Sequence, residues 1–138
     1  MPVSYIDDFR TKLLRHYFGN EPLAAPANLY AMPVTTAPAA DGSGVVEAAW
    51  VGLARVAILN NSAAFTTNAA GQLRIANQVT FTEVPAGTAD INIVGIVLYD
   101  AAVGGTPRLY FPAPKTVGEL DTYYAAAGTV AIELNNPA

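Results

Sequence analysis

The stretch Ile91–Tyr99, INIVGIVLY, is almost unbroken Ile, Val and Leu. A run this apolar and this short, bounded by turn residues, fits a strand covered on both faces, so it belongs at the centre of a β core. Residues 100–106, with Gly104-Gly105, make a hairpin-like turn into a further strand over 108–111. Residues 72–75 and 78–83 alternate apolar and polar side chains (Val79, Phe81, then Glu83), as half-exposed strands do. Residues 45–59 hold one long strand or two, closed by a turn at Asn60-Asn61-Ser62. Residues 122–126 and 129–134 are expected to pair around Gly128 as a last hairpin. Residues 29–34 form a short strand, which Pro33 pushes towards a sheet edge or a strand end. About seven or eight strands at this spacing predict a mainly β chain, an antiparallel β-sandwich or jelly-roll-like barrel.

One amphipathic α-helix precedes the strands, over residues 5–18. Ser4 is placed to cap it, with Asp7 three residues on in a capping-box-like pattern. Asp7 and Asp8 in the first turn and Arg15 near the last suit the two ends of the helix dipole. Ile6, Phe9, Leu13 and Tyr17 recur at helical spacing as one apolar face, widened by Leu14 and Phe18, and Gly19 and Pro22 stop the helix. The expected organisation is a single domain: residues 1–21 as a helix that docks elsewhere or packs on its own sandwich, 22–44 as a Pro/Ala-rich linker, edge strand and flexible loop, and 45–138 as the sandwich core.

Composition narrows the function. Of 138 residues 52% are hydrophobic and only 13% charged, with a net charge of -4, so the chain can build a core and is not a disordered tail. Seven Lys and Arg against eleven Asp and Glu give no electrostatic grip on nucleic acid. The absence of cysteine excludes a disulfide framework and thiolate metal sites. No apolar run approaches the roughly 18 residues of a membrane span, and the acidic N-terminal residues do not resemble a signal peptide, so synthesis in a cytoplasm is expected.

Catalytic chemistry has few carriers here. His16 is the only histidine and sits on the helix shoulder; an enzymatic reading needs it in a pocket against a carboxylate. Asp90, Asp100, Glu119 and Asp121 lie in or beside turns, where they read as caps of backbone amides ahead of a calcium site. Gly42-Ser43-Gly44 lacks the third glycine and the helix of a dinucleotide loop. Tyr99, Tyr110, Phe111, Tyr123 and Tyr124 crowd the C-terminal third; on a regular strand Tyr123 and Tyr124 face opposite ways, which leaves a glycan-binding platform as one rival reading. No catalytic residue, cofactor or metal is assigned, and a structural or binding protein is expected.

Several short motifs occur in a telling order: Leu13-Leu14-Arg15-His16, then Val34-Thr35-Thr36-Ala37-Pro38, then Gly52-Leu53-Ala54-Arg55. They are followed by the hairpin from Gly95-Ile96 through Asp100-Ala101 to Gly104-Gly105, and by Pro114-Lys115-Thr116-Val117. In this order the chain resembles a family of small virion proteins of tailed bacteriophages, described as tail-fibre-like, minor tail or head-decoration proteins. The resemblance implies a small β-sandwich that assembles on the virion without catalytic residues. The leading expectation is a capsid decoration or minor capsid protein that binds the major capsid protein, as a homo-oligomer with a trimer among the options. The alternative is a minor tail or tail-fibre/receptor-binding component. Candidate partner contacts are Ile6, Phe9, Leu13 and Tyr17 with the cations Arg108 and Lys115; Arg55 and Arg74 are further charges able to mark contacts. Deletion of residues 1–21 is expected to leave the sandwich folded and to abolish capsid binding.

Overall fold

The computed structural model describes residues 4–67, 72–128 and 130–132. The chain runs β1 (Ser4–Tyr5), α1 (Asp7–Gly19), β2 (Asn28–Thr36), β3 (Val46–Glu47), β4 (Val56–Leu59), β5 (Phe65–Thr67), β6 (Leu73–Ile75), β7 (Val79–Thr80), β8 (Ile91–Tyr99), β9 (Pro107–Val117), β10 (Tyr124–Ala125) and β11 (Ala131–Ile132). The main sheet has the order β1-β9-β8-β2-β3, with β4 also on β2, and all its pairs are antiparallel. Two small antiparallel sheets, β11-β6-β5 and β10-β7, form the second layer. The fold is mainly β and sandwich-like; no barrel closes among the described residues.

The inter-sheet core joins Ile93, Ile96, Leu98, Leu109 and Phe111 of the main sheet to Phe65, Ile75, Phe81, Val84 and Tyr123 of the second layer. The other face of the main sheet is buried too: Met32, Val34, Val97 and Tyr99 lie under Val45 and Leu53 of the 37–55 connection. β8 is therefore covered on both sides, which is the physical reason for its unbroken apolar run. At Gly95 a Cβ would strike the Phe111 carbonyl and the Tyr110 ring, so only glycine lets β9 lie this close.

Some sequence expectations fail locally. β2 is an interior strand, flanked by β8 on one side and by β4 and β3 on the other, and not an edge. Pro33 is tolerated because its backbone faces the junction between β4, which pairs residues up to Ala31, and β3, which begins opposite Val34. Its carbonyl accepts the Ala48 amide there at 2.9 Å, and no donor is needed from its ring nitrogen. Residues 124–125 and 131–132 do not form a hairpin with each other: β10 pairs with β7 and β11 with β6, while the Gly128 amide donates to the Ile75 carbonyl. Of the residues expected in that hairpin, Thr129, Glu133 and Leu134 lie outside the described residues. Of the two options for residues 45–59, one long strand or two, the structure has two separated short strands, β3 and β4.

The helix begins later than expected. Ser4 pairs with Tyr110 in β1, and Ile6 occupies the N-cap position with no side-chain cap. Packing replaces the cap, since Ile6 is buried and its amide donates to the Arg108 carbonyl at 3.1 Å. At the other end Asn20, not Gly19, takes the left-handed conformation (φ 53°) that turns the chain away.

Candidate attachment site

α1 is built from its first turn outwards. The Asp7 amide donates to the Ala40 carbonyl at 2.9 Å, tying the helix start to the loop that composition marked as flexible. That loop is held by its own bonds: Ala39 to Ser43 and Gly42 to Ala39 along the backbone, and the Ser43 amide and hydroxyl on the Asp41 carboxylate. These Ser43 bonds draw the Asp41 pKa below its ordinary value. Gly42 has φ +86°, and a Cβ there would press on Ile6 and Pro107 at 3.2 Å, so the loop's close approach to the helix start depends on glycine. Phe9 packs against the inter-sheet core.

Arg108 fastens this joint. Its guanidinium lies 2.8 Å from Asp100, 3.5 Å from Asp8 and 5.7 Å from the centre of the Phe9 ring. Burial disfavours the charged Asp100 carboxylate, but the Thr106 amide and Arg108 outweigh it and hold the pKa below the usual value. Arg108, a candidate partner contact, is thus engaged by two carboxylates of its own chain. Arg55 is likewise internal. It stacks 3.6 Å over the Tyr99 ring, pairs with Glu47, and donates to the Ala101 (2.8 Å) and Gly104 (2.6 Å) carbonyls of the β8–β9 turn. Arg74 donates to Gly128 and Gln72. Lys115 is exposed and has no ion pair with a described residue.

Beyond its first turns α1 stands free. None of its residues is buried; Leu13 is half-buried, while Tyr17 is 82% exposed, Phe18 80% and Leu14 54%. The Tyr17 and Phe18 rings meet edge-to-face at 5.0 Å. Of the four residues read as one apolar face, Ile6 and Phe9 are therefore anchors of the protein's own sandwich, and Tyr17 projects into solvent. Leu14 and Phe18 belong with it. Spacing alone could not separate these roles, because the same periodicity serves both halves. His16 is exposed, with Nδ1 2.8 Å from the Glu21 carbonyl oxygen and, among the described residues, no carboxylate bonded to the ring.

The aromatic group in the C-terminal third divides as strand alternation predicts. Tyr123 is buried, stacks on Phe81 and donates its hydroxyl to the Ala113 carbonyl at 2.8 Å; burial raises its pKa. Tyr124 is half exposed beside Lys115, Pro112 and Pro114 in an open groove of about 400 Å³. A platform needing both rings is not formed. Glu119 and Asp121 act as turn caps, accepting the Gly87 (2.7 Å) and Gly118 (2.8 Å) amides. Among the described residues no three His, Asp or Glu side chains are grouped to hold a metal ion, and no helix is long and apolar enough to cross a membrane.

The geometry is that of a small antiparallel sandwich carrying a helix whose far end exposes Leu14, Tyr17 and Phe18. The family model described as Podophage GP4 fiber I protein gp80 matches residues 5–133, and the chain belongs to that family. It is accordingly a structural protein of a tailed-phage virion. None of the curated proteins matches the chain.

Proposed function

We propose that the chain is a fibre subunit of a podophage virion, fixed to its neighbour through the free half of α1. The observation that carries this is the exposure of Leu14, Tyr17 and Phe18 on a helix whose first turn is clamped to the sandwich. Three such side chains buried in a partner's apolar site supply roughly 5–8 kcal/mol before the costs of association, and repetition over many copies raises the total. The family description favours the fibre over other virion locations.

A second reading, attachment to the shell with the major capsid protein as partner, is favoured by the compact domain: the 13-residue α1 is too short for a coiled-coil shaft. Gold-labelled antibody on purified virions separates the two, with label expected on fibres; label spread over the head selects the shell. A Tyr17→Ser/Phe18→Ser double variant should fold normally yet fail to enter virions. Full incorporation of that variant would reject the helix as the attachment element. Point variants replace deletion of residues 1–21 as the test, because deletion also removes β1, Ile6 and Phe9 from the sandwich and uncovers its core.

A further inference from the structure

We propose that two copies of this chain join edge to edge through β4, in an antiparallel pair that makes one continuous sheet across a two-fold axis. This contact is separate from virion attachment and does not depend on it.

The two sides of the main sheet are finished differently. On one side the described residues of β1 cover β9 at Leu109 and Tyr110, and further along that edge stand Pro112, Pro114 and Lys115, residues that blunt strand pairing. On the other side β4 reads VAIL, with no proline and no charge, and no described strand pairs with its outer side. The Asn60 amide donates to the Ala27 carbonyl at 3.0 Å, so the alternation of an antiparallel ladder turns Ile58 and Val56 towards β2. Ala57 and the Leu59 amide therefore point outward. An antiparallel partner centred on Ala57 satisfies the two Ala57 residues mutually and sets each Leu59 opposite the other copy's Arg55 backbone.

Charge selects a second copy as the occupant. Glu83, Asp90, Glu119 and Asp121 gather at one pole, where Ile91 pairs with Val117, and none of the four has an ion pair with a described residue. The chain's other acids equal its Lys and Arg in number, so these four account for the net charge of -4. β4 lies at the opposite end of the sheet, where Tyr30 pairs with both Ala57 and Tyr99. It is flanked by a groove of about 300 Å³ lined by Ala57, Leu59, Ala64, Ile75 and Gln78 among others, with no charged residue. Two copies of an acidic protein meet here without opposing like charges. Leu59 (57% exposed) and Val46 on the adjoining β3 supply apolar surface. A contact in which the same patch serves both copies needs such self-complementarity.

Sedimentation equilibrium of the full chain over a wide concentration range tests this. The expected result is a mass of twice the chain at high concentration. Leu59→Lys sets a desolvated cation on each side of the axis and should raise the dissociation constant about tenfold or more, with unchanged circular dichroism. Ala57→Pro removes an outward amide and should do the same; if it misfolds, Leu59→Lys decides. Lys115→Ala, on the opposite edge, should leave the dimer intact. A monomer at every concentration, a trimer, or a dimer indifferent to Leu59→Lys would overturn the proposal.

Discussion

The Arg108 guanidinium stands 2.8 Å from the Asp100 carboxylate across the base of the β8–β9 turn, and from there reaches Asp8 and the face of Phe9 on α1. One side chain thus couples the hairpin that closes the main sheet to the helix that offers an attachment surface. Arg108→Ala should loosen α1 more than it weakens the fold. The cost in global stability is expected to be about 1 kcal/mol, since the pair is only partly shielded. Hydrogen exchange should accelerate over residues 7–19 and stay slow in β8.

Arg55 is expected to matter more. It holds two turn carbonyls, Glu47 and the Tyr99 face at once, and its side chain is nearly enclosed. Arg55→Ala should cost about 2–3 kcal/mol in denaturant unfolding, because the part-buried Ala101 carbonyl and Glu47 carboxylate lose their donor and the Tyr99 ring its cation. Arg55→Lys should recover little of this, since an ammonium cannot fork to the carbonyls and Glu47 together.

Gly95→Ala tests the close approach of β8 and β9. The added methyl meets the Phe111 backbone and the Tyr110 ring, neither of which yields without moving the strand. A loss of about 3 kcal/mol is expected, read from the denaturation midpoint.

Stability should fall at both ends of the pH scale. Burial, with Glu47 nearby, pushes the Tyr99 hydroxyl up to about 12. Its folded-state pKa is thus raised, so its contribution is complete below the ordinary tyrosine value near 10 and is lost as pH climbs towards about 12. Tyrosinate absorbance should rise together with unfolding in that window, and Tyr99→Phe should shift the transition upward. Asp100 has the opposite sign: its pKa is lowered, so its contribution is present above the ordinary value of 3.8 and disappears as pH falls below it. The Arg108 joint should open there, and Asp100→Asn should remove that acid step from a helix-specific probe.

The single-residue groove residue Tyr124 offers a contrast between what strand pattern can and cannot tell. Alternation alone set Tyr123 and Tyr124 on opposite faces, because successive side chains of a strand must leave opposite faces, and the structure decided that Tyr123 is the buried one. Local pattern likewise placed Ile91–Tyr99 at the core, a turn at Asn60-Asn61-Ser62 and amide caps at Asp100, Glu119 and Asp121. Capping of the helix by Ser4 was a sound local pattern that lost to pairing with Tyr110. The division of α1 into an anchored start and a free end was not legible, since Phe9, Leu13 and Tyr17 share one periodicity.

The sequence by itself determined the β class, the terminal amphipathic helix, the central strand and the turns, and its ordered motifs pointed to the phage virion family. These are properties of neighbouring residues: periodicity, backbone preference and side-chain reach of a few positions. Only the tertiary structure decided that β2 runs inside the sheet past Pro33, that Arg55 and Arg108 are bound within the molecule, and that Tyr17 and Phe18 are left to solvent. Arg55 meets the carbonyls of Ala101 and Gly104, 46 and 49 residues away. Such partners are set by how strands pair, and pairing is a choice among distant segments that no local pattern encodes.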